Sequence, residues 1–347
     1  MKKNIRVCVH YPCTLSQKIV IRCDQDWETN IDPHESNQNL HVFRLPSQTV
    51  FWKACLKEGD ALHWAQSANQ IAMSDNANVW PCFYEKTGNI SSKKHIRQKV
   101  TMQQGNHFRV YTPPGYQENS LKKYPVLYMH DGGNLFFSKE AFMGIEWQAD
   151  ETMDRLHAMN IIDKVIIVAV YPQNRFTEYT ESGYEAYAQY LVTKIKPYID
   201  QHYRTLSDRK NTMVMGSSLG GVVSVYLAWR WSSVFGACAC MSSTFGYADN
   251  LFSMVKEERL PDVRIYLDSG WPKDNFERTR TMAAMLQRKG MKMGTTLMYF
   301  TFPRGKHNEK HWADRLHIPF QFLFGKRWNG SVLDLHSNPK ESNPYIR

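Results

Sequence analysis

The sequence predicts an α/β protein with a mostly parallel central sheet, preceded by a small all-β, sandwich-like region. Three observations carry that reading. From residue 95 to 326, apolar strand-like runs alternate with helical stretches; such alternation builds a parallel sheet covered on both faces. Residues 1–90 hold short β-type runs between polar, turn-forming stretches, with no helical periodicity of useful length. Between a short apolar run and a helix rich in Val, Leu, Ala and Trp lies Gly216-Ser217-Ser218-Leu219-Gly220-Gly221, the residue pattern of a tight strand-to-helix reversal.

In the leading region the expected strands are Lys18–Arg22, His41–Leu45 and Thr49–Lys53. Trp27, Trp52, Trp64 and Trp80 fall among them; a flat apolar ring complements a sugar face, but packing in a β-sandwich core is the commoner use of such rings. Tyr84 to Gln98 is basic and polar and reads as a solvated connection. Beyond it, Phe108–Tyr111 and Tyr124–Met129 are strands, the latter running into His130-Asp131-Gly132-Gly133-Asn134. Ile145–Met159 is an amphipathic helix, and Lys164–Val170 has the continuous apolar character of a strand buried on both faces. A helix over Tyr184–Tyr203 precedes the strand Thr212–Met215 and the helix Leu219–Trp231. Ala237–Met241, Val263–Leu267 and Thr295–Phe302 are further strands; Phe276–Arg288 and Lys310–Phe324 are helices. Residues 327–347 form a polar tail without periodicity. The implied division is a β-unit over 1–90, an α/β unit over 95–326 and the tail.

At 347 residues, 42% hydrophobic and 22% charged, the composition is that of an ordinary globular protein with room for one large unit and one small one. The net charge of +10 favours encounter with anionic partners, yet no arginine-rich stripe or nucleic-acid motif accompanies it, so nucleic acid is not an expected partner. Met1 to Cys8 has the charge of a signal peptide but no apolar stretch behind it, and no run approaches membrane-spanning length. Seven cysteines, an odd number without zinc-type pairing, fit reduced thiols and a cytoplasmic setting. A disulfide among Cys8, Cys13 and Cys23 is the open alternative.

The chemistry centres on Ser218. A strand that reverses into a helix within a few residues holds its turn residue in a strained conformation and presents it at the carboxyl edge of the sheet. Glycines on either side remove the Cβ atoms that would collide, and the amide of Leu219 falls at the helix start, where unsatisfied N–H groups favour a developing anion. A serine hydroxyl is a poor nucleophile at neutral pH and needs a base, itself oriented by an acid. Both follow in chain order. After Val263–Leu267 come Asp268 and Asp274, and after Thr295–Phe302 comes His307. His307 stands in the loop beyond the strand, whereas His311 lies one turn later within the helix. Asp274 is favoured over Asp268, which sits at the strand end itself.

His130-Asp131-Gly132-Gly133-Asn134-Leu135-Phe136, Trp147 with Asp150-Glu151, Asn174-Arg175-Phe176-Thr177-Glu178-Tyr179, the Ser218 motif, and His307-Asn308-Glu309 with Trp312 and Arg315 together resemble the Putative esterase family. That α/β-hydrolase family holds enterochelin esterases, feruloyl and acetyl-xylan esterases, S-formylglutathione hydrolases and mycolyltransferases. The resemblance covers roughly residues 100–326. It implies an α/β-hydrolase fold and a carboxylic ester hydrolase with Ser218 as nucleophile, His307 as base and Asp274 as acid. It also implies an oxyanion held by the amide of Leu219 and by that of Gly132 or Gly133. Arg175, Glu178 and Tyr179 are expected to fix a loop near the pocket. The leading β-region is similar in size and place to the small domain ahead of enterochelin esterases.

The implied substrate is an acyl group on a sizeable alcohol, as in siderophore-type, phenolic or carbohydrate esters, with no cofactor and no metal. The +10 balance would favour an anionic ester. His307 and His311, four apart, would suit zinc on a helix, but the zincin pattern needs Glu directly after the first His, and here it is Asn308. An S-formylglutathione-type thioesterase, an acyltransferase of the same fold, or a catalytically weak glycan binder are the competing expectations.

Overall fold

The computed structural model describes residues 5–72, 77–96 and 106–326. Met1–Asn4, Arg97 and Gln98 of the basic connection, and the tail 327–347 lie outside the described residues.

The leading region forms two sheets. Ile5–His10 is flanked by Leu40–Leu45, antiparallel, and Ala77–Val79, parallel, with Glu35–Ser36 at the edge. Gln17–Cys23 lies between Asp26–Ile31 and Phe51–Glu58, which also pairs with Ala61–Trp64 and Gln70–Ile71. Alternate residues of both sheets (Val7, Val9, Ile19, Ile21, Phe43, Leu45, Trp52 and Leu56) share one apolar core. Trp52 is 1% exposed and belongs to that core, so the four tryptophans do not make one stacking surface. Trp27 and Trp64 are neighbours with ring centroids 6.2 Å apart, and Trp80 stacks on His10 at 4.7 Å.

The large sheet has eight strands, numbered here along the chain: β1 (Asn89–Ile90), β2 (Phe108–Thr112), β3 (Val126–Met129), β4 (Ile166–Val170), β5 (Thr212–Ser217), β6 (Ala237–Met241), β7 (Arg264–Trp271) and β8 (Leu297–Pro303). Their order is β1-β2-β4-β3-β5-β6-β7-β8. β1, β2 and β4 pair antiparallel, and every other neighbour pair is parallel. β3, β4, β5 and β6 are buried along their whole length, because helices cover both faces and the central strands meet no water on either side. One face packs on the helix Leu219–Arg230 and the Tyr184–His202 segment, the other on Ala149–Ala158 and His317–Phe324.

Several boundaries differ from the sequence reading, each for a local reason. Part of the basic connection joins the sheet as β1, and Lys93 pairs with Glu140 at 3.2 Å. The expected helix at Ile145 begins at Ala149, because Trp147 is buried in the core and Gln148 turns through a left-handed conformation (φ 52°). The segment from Tyr184 is helical to His202 but widens by one residue per turn over Leu191–Ile195. The last helix is two, Glu309–Arg315 and His317–Phe324. β7 runs four residues beyond Leu267, to Trp271. All seven cysteines are buried free thiols, and no helix among the described residues is long and apolar enough to cross a membrane.

Candidate active site

β5 ends at Ser217 and the helix starts at Leu219, so Ser218 makes the whole turn with φ 56° and ψ −122°. A side chain rarely tolerates this conformation, and its cost is borne by the packing around it. A Cβ on Gly216 would lie 2.6 Å from the Gly220 backbone, so strand and helix approach this closely only because position 216 is glycine. The Ser218 amide bonds to Met241 O of β6 at 2.9 Å, which ties the turn to the sheet.

The loop after β8 carries His307, and its Nε2 stands 3.0 Å from Ser218 Oγ. The loop after β7 carries Asp274, whose Oδ1 is 2.8 Å from His307 Nδ1. These loops are held together where Gly270 meets Gly305. A Cβ on Gly270 would come within 2.3 Å of the Gly305 carbonyl. Trp312 packs edge-on against the His307 ring at 5.0 Å.

The two candidate carboxylates have different surroundings. Asp274 accepts from His307, from the amides of Gly270 (2.7 Å) and Asn275 (2.7 Å), and from the Ser242 hydroxyl. Burial alone would raise its pKa; these hydrogen bonds, led by His307 and Ser242, outweigh it and hold the carboxyl well below the usual carboxylate range. Asp268 lies inside β7, fully buried and bonded to a cation rather than to His307: Arg315 donates to its Oδ1 from Nη2 at 2.8 Å and from Nε at 3.1 Å, and Tyr266 donates to Oδ2 at 2.9 Å. Burial raises its pKa against the pull of Arg315.

Sequence reasoning overlooked Ser242, the residue that links these groups. Its hydroxyl accepts from Trp312 Nε1 (3.0 Å) and Arg315 Nη2 (2.7 Å), which leaves its one proton for Asp274. Ser242 is fully buried, with φ 45°, just past β6. The signal was its place at a strand's carboxyl end; a lone serine there has no distinguishing pattern.

On the other side of Ser218, the loop after β3 enters a short 3₁₀ turn, Gly132–Asn134, through Asp131 in a left-handed conformation (φ 55°). The first amides of that turn and the Leu219 amide precede any turn that would bond them. Arg175 forks onto both oxygens of Asp131 at 2.8 and 2.9 Å, and Tyr179 OH accepts from the Asp131 amide at 3.2 Å. Glu178 accepts from Asn106 and from the Gln173 amide, fixing the loop that carries Arg175. Under the loop lies His130, bonded through Nδ1 to Tyr187 OH at 2.8 Å. Burial, with the nearby Arg175 charge, pulls its pKa down to about 3, so it is neutral. The loop lies against the elbow: a Cβ on Gly220 would sit 3.3 Å from Asp131 Oδ2.

His311 does not join His307 on one helical face. Asn308 accepts from the His311 amide at 3.1 Å and starts the helix after His307. No cluster of three or more His, Cys, Asp or Glu side chains suited to a metal occurs among the described residues.

Comparison with known proteins gives a family from sequence and a fold from structure. The sequence profile described as Putative esterase matches residues 100–320. The uncharacterized protein YbbA of Bacillus subtilis is 20% identical over 245 residues, covering 63% of this chain and 92% of that protein. A ferulic acid esterase superposes with a TM-score of 0.58 at 20% identity, covering 68% of this chain and 97% of its own. The enterobactin esterase FES from Shigella flexneri superposes with a TM-score of 0.55 at 12% identity, covering 92% of each chain. At these identities the structural likeness speaks for an α/β-hydrolase fold, and in the last case the match extends beyond the large sheet into the leading β-region. By the profile that spans most of its large-sheet unit, this chain belongs to the Putative esterase family and is a carboxylic ester hydrolase.

Proposed function

We propose that the chain hydrolyses its ester through an acyl-enzyme on Ser218, with His307 as base and Asp274 as the orienting acid. The observation that carries this is the unbroken line of contacts from Ser218 Oγ through His307 to Asp274, at 3.0 and 2.8 Å, drawn from loops after three different strands. Ser218 Oγ attacks the ester carbonyl while His307 Nε2 takes its proton. The amides of Leu219 and of Gly132 or Gly133 receive the charge that develops on the carbonyl oxygen. His307 then returns the proton to the leaving alcohol, and water repeats the sequence on the acyl-enzyme. Asp274, kept ionised by its hydrogen bonds, holds the imidazole in the tautomer whose Nε2 faces the serine. Asp268 has a supporting part: it anchors Arg315, which in turn orients the Ser242 hydroxyl.

The substrate we infer is a phenolic or siderophore-type ester. Exposed apolar side chains stand on the segments after β3 (Phe142, Met143), β4 (Phe176) and β6 (Tyr247) and at the last residue of β7 (Trp271), all at the sheet edge where Ser218 lies. Phe176 and Tyr247 meet edge-on at 6.4 Å. Such a rim suits an aromatic group and gives a small thioester such as S-formylglutathione little to bind. The names of the structural neighbours, a ferulic acid esterase and an enterobactin esterase, support the same choice. With Trp52 buried, a glycan-stacking role for the leading region loses one of its four rings. We take residues 1–90 as a β-unit that precedes a catalytic unit of 95–326 and lends it the edge strand Asn89–Ile90.

The test is a panel of feruloyl, catecholate-siderophore, acetyl-sugar and short aryl esters, with S-formylglutathione beside them, run on wild type and Ser218→Ala. Turnover should fall on the order of a millionfold in the variant. A loss of only a few-fold would remove Ser218 from the mechanism, and highest efficiency on S-formylglutathione would remove the aromatic assignment.

A further inference from the structure

A cavity of about 270 Å³ lies at the opposite edge of the large sheet, between the leading β-region and the amino ends of β3 and β4. Lys122 reaches it from just before β3, Lys164 from just before β4, and Lys326 from beyond the last helix. The direct contacts of their ammonium groups are with uncharged groups, while the Asp163 carboxylate acts on Lys122 and Lys326 without forming an ion pair. Lys122 Nζ stands 4.7 Å over the Trp80 ring, Lys164 Nζ contacts Cys82 Sγ at 3.0 Å, and Lys326 Nζ donates to Asn160 Oδ1. The lysine ion pairs among the described residues fall elsewhere, on Lys18, Lys93, Lys196 and Lys310. Asp163, the one carboxylate on the wall, is exposed and has no ion pair among the described residues.

The wall also carries His157, from the helix Ala149–Ala158. It is 6% exposed, and neither ring nitrogen has a hydrogen-bond partner. Buried polar groups are seldom left unpaired, and one that is marks a missing partner. Burial and the three lysine charges push His157 well below its ordinary pKa, so the ring is neutral, with one N–H to donate. Burial, reinforced by Lys164 and Lys326, likewise lowers Lys122 to about 8, even with Asp163 acting the other way. Like charges gathered in a half-enclosed space, beside an unused donor, are stabilised by an anion that enters among them.

We propose that this cavity binds a small oxyanion of phosphate type, either free phosphate or the phosphate of a small phosphomonoester, held by Lys122, Lys164 and Lys326 with the His157 N–H. It lies across the sheet from Ser218 and takes no part in ester cleavage. The occupant would join the leading β-region to the large-sheet unit, since Trp80 and Cys82 come from one wall and Lys122, His157 and Lys164 from the other.

The experiment is thermal unfolding of the full chain, titrated with inorganic phosphate or glycerol phosphate at constant ionic strength set by chloride. Either anion should give a saturable rise in Tm of about 3–6 °C in wild type and in Ser218→Ala alike. Lys122→Gln with Lys164→Gln should abolish the rise. Lys326→Gln, a change at an exposed position that leaves the core untouched, should weaken binding by about tenfold. Equal responses to both probes assign free phosphate as the occupant; a larger response to the ester assigns the phosphomonoester. Absence of a saturable response in wild type, or a response unchanged in Lys326→Gln and in the double variant, overturns the proposal.

Discussion

Exchanging the two aspartates separates a reacting role from a structural one. In Asp268→Asn, Arg315 keeps its place in the core but loses the charge that two of its N–H groups address. Breaking a buried ion pair from one side costs about 3–5 kcal/mol, which in a chain of this size lowers Tm by roughly 4–7 °C. His307 still meets Asp274, so turnover per folded molecule should change by less than about tenfold. Asp274→Asn acts the other way. The amide offers N–H where Asp274 accepts from Ser242 and Gly270, or where it accepts from His307. Stability falls by about 1.5–3 kcal/mol for each charged hydrogen bond lost, but the imidazole also loses its tautomer, and turnover should drop by about 10⁴. The assay is aryl-ester turnover normalised to the folded fraction from urea denaturation. If Asp268→Asn, fully folded, lost more turnover than Asp274→Asn, the assignment of both residues would be refuted. The pH dependence adds a second reading. The folded pKa of Asp274 is depressed, so its stabilising contribution is complete above the unfolded value near 3.9 and is lost as pH falls from there towards the folded value. Asp274→Asn should therefore flatten the acid limb of the stability curve.

Three other variants probe the shell around the site. Ser242→Ala leaves the Trp312 and Arg315 donors without their acceptor and removes one hydrogen bond to Asp274; a stability loss of about 2–4 kcal/mol and at least a tenfold fall in kcat are expected, whereas unchanged kcat in folded protein would reduce Ser242 to packing. Arg175→Lys cannot fork onto Asp131, and the looser loop should lower kcat by about tenfold with KM little changed; an effect on KM alone would place Arg175 against the substrate instead. Asp150, half-buried with one oxygen unpartnered, has its pKa raised to about 8 by burial and then by Glu151. A folded value above the unfolded one means that stability declines as pH rises from about 4 to about 8, so Asp150→Asn should raise the urea midpoint at pH 8 and leave it unchanged near pH 4.

How much of this was legible in the chain follows from the range of the interactions. The elbow is local: Gly216, Ser218 and Gly220 meet within one turn, so their spacing alone announces the reversal. The alternation of strand and helix is also a short-range pattern, and the continuous apolar run of β4 told that both faces of the sheet are covered. His307 could be located because the loop after the last strand has one position in the sheet order. The strand end alone favours Asp274 over Asp268, without the physical reason that separates them. That reason depends on where β7 stops, and β7 continues to Trp271 because β8 pairs with it from Ile265 to Trp271, past Asp268, the last residue that β6 pairs. That register buries Asp268 in the sheet, where a carboxylate needs a counter-charge, and Arg315 supplies it from 47 residues away. Ser242 has no pattern of its own, since its role exists only where Trp312, Arg315 and Asp274 converge on one hydroxyl. The fate of the tryptophans was likewise decided in three dimensions. Trp52 and Trp64 sit on paired strands, yet one faces the shared core and the other is partly exposed, because the partner sheet covers only one side. Spacing along the chain sets which groups are near in sequence; only the packing of separate strands and loops determines which charges become neighbours.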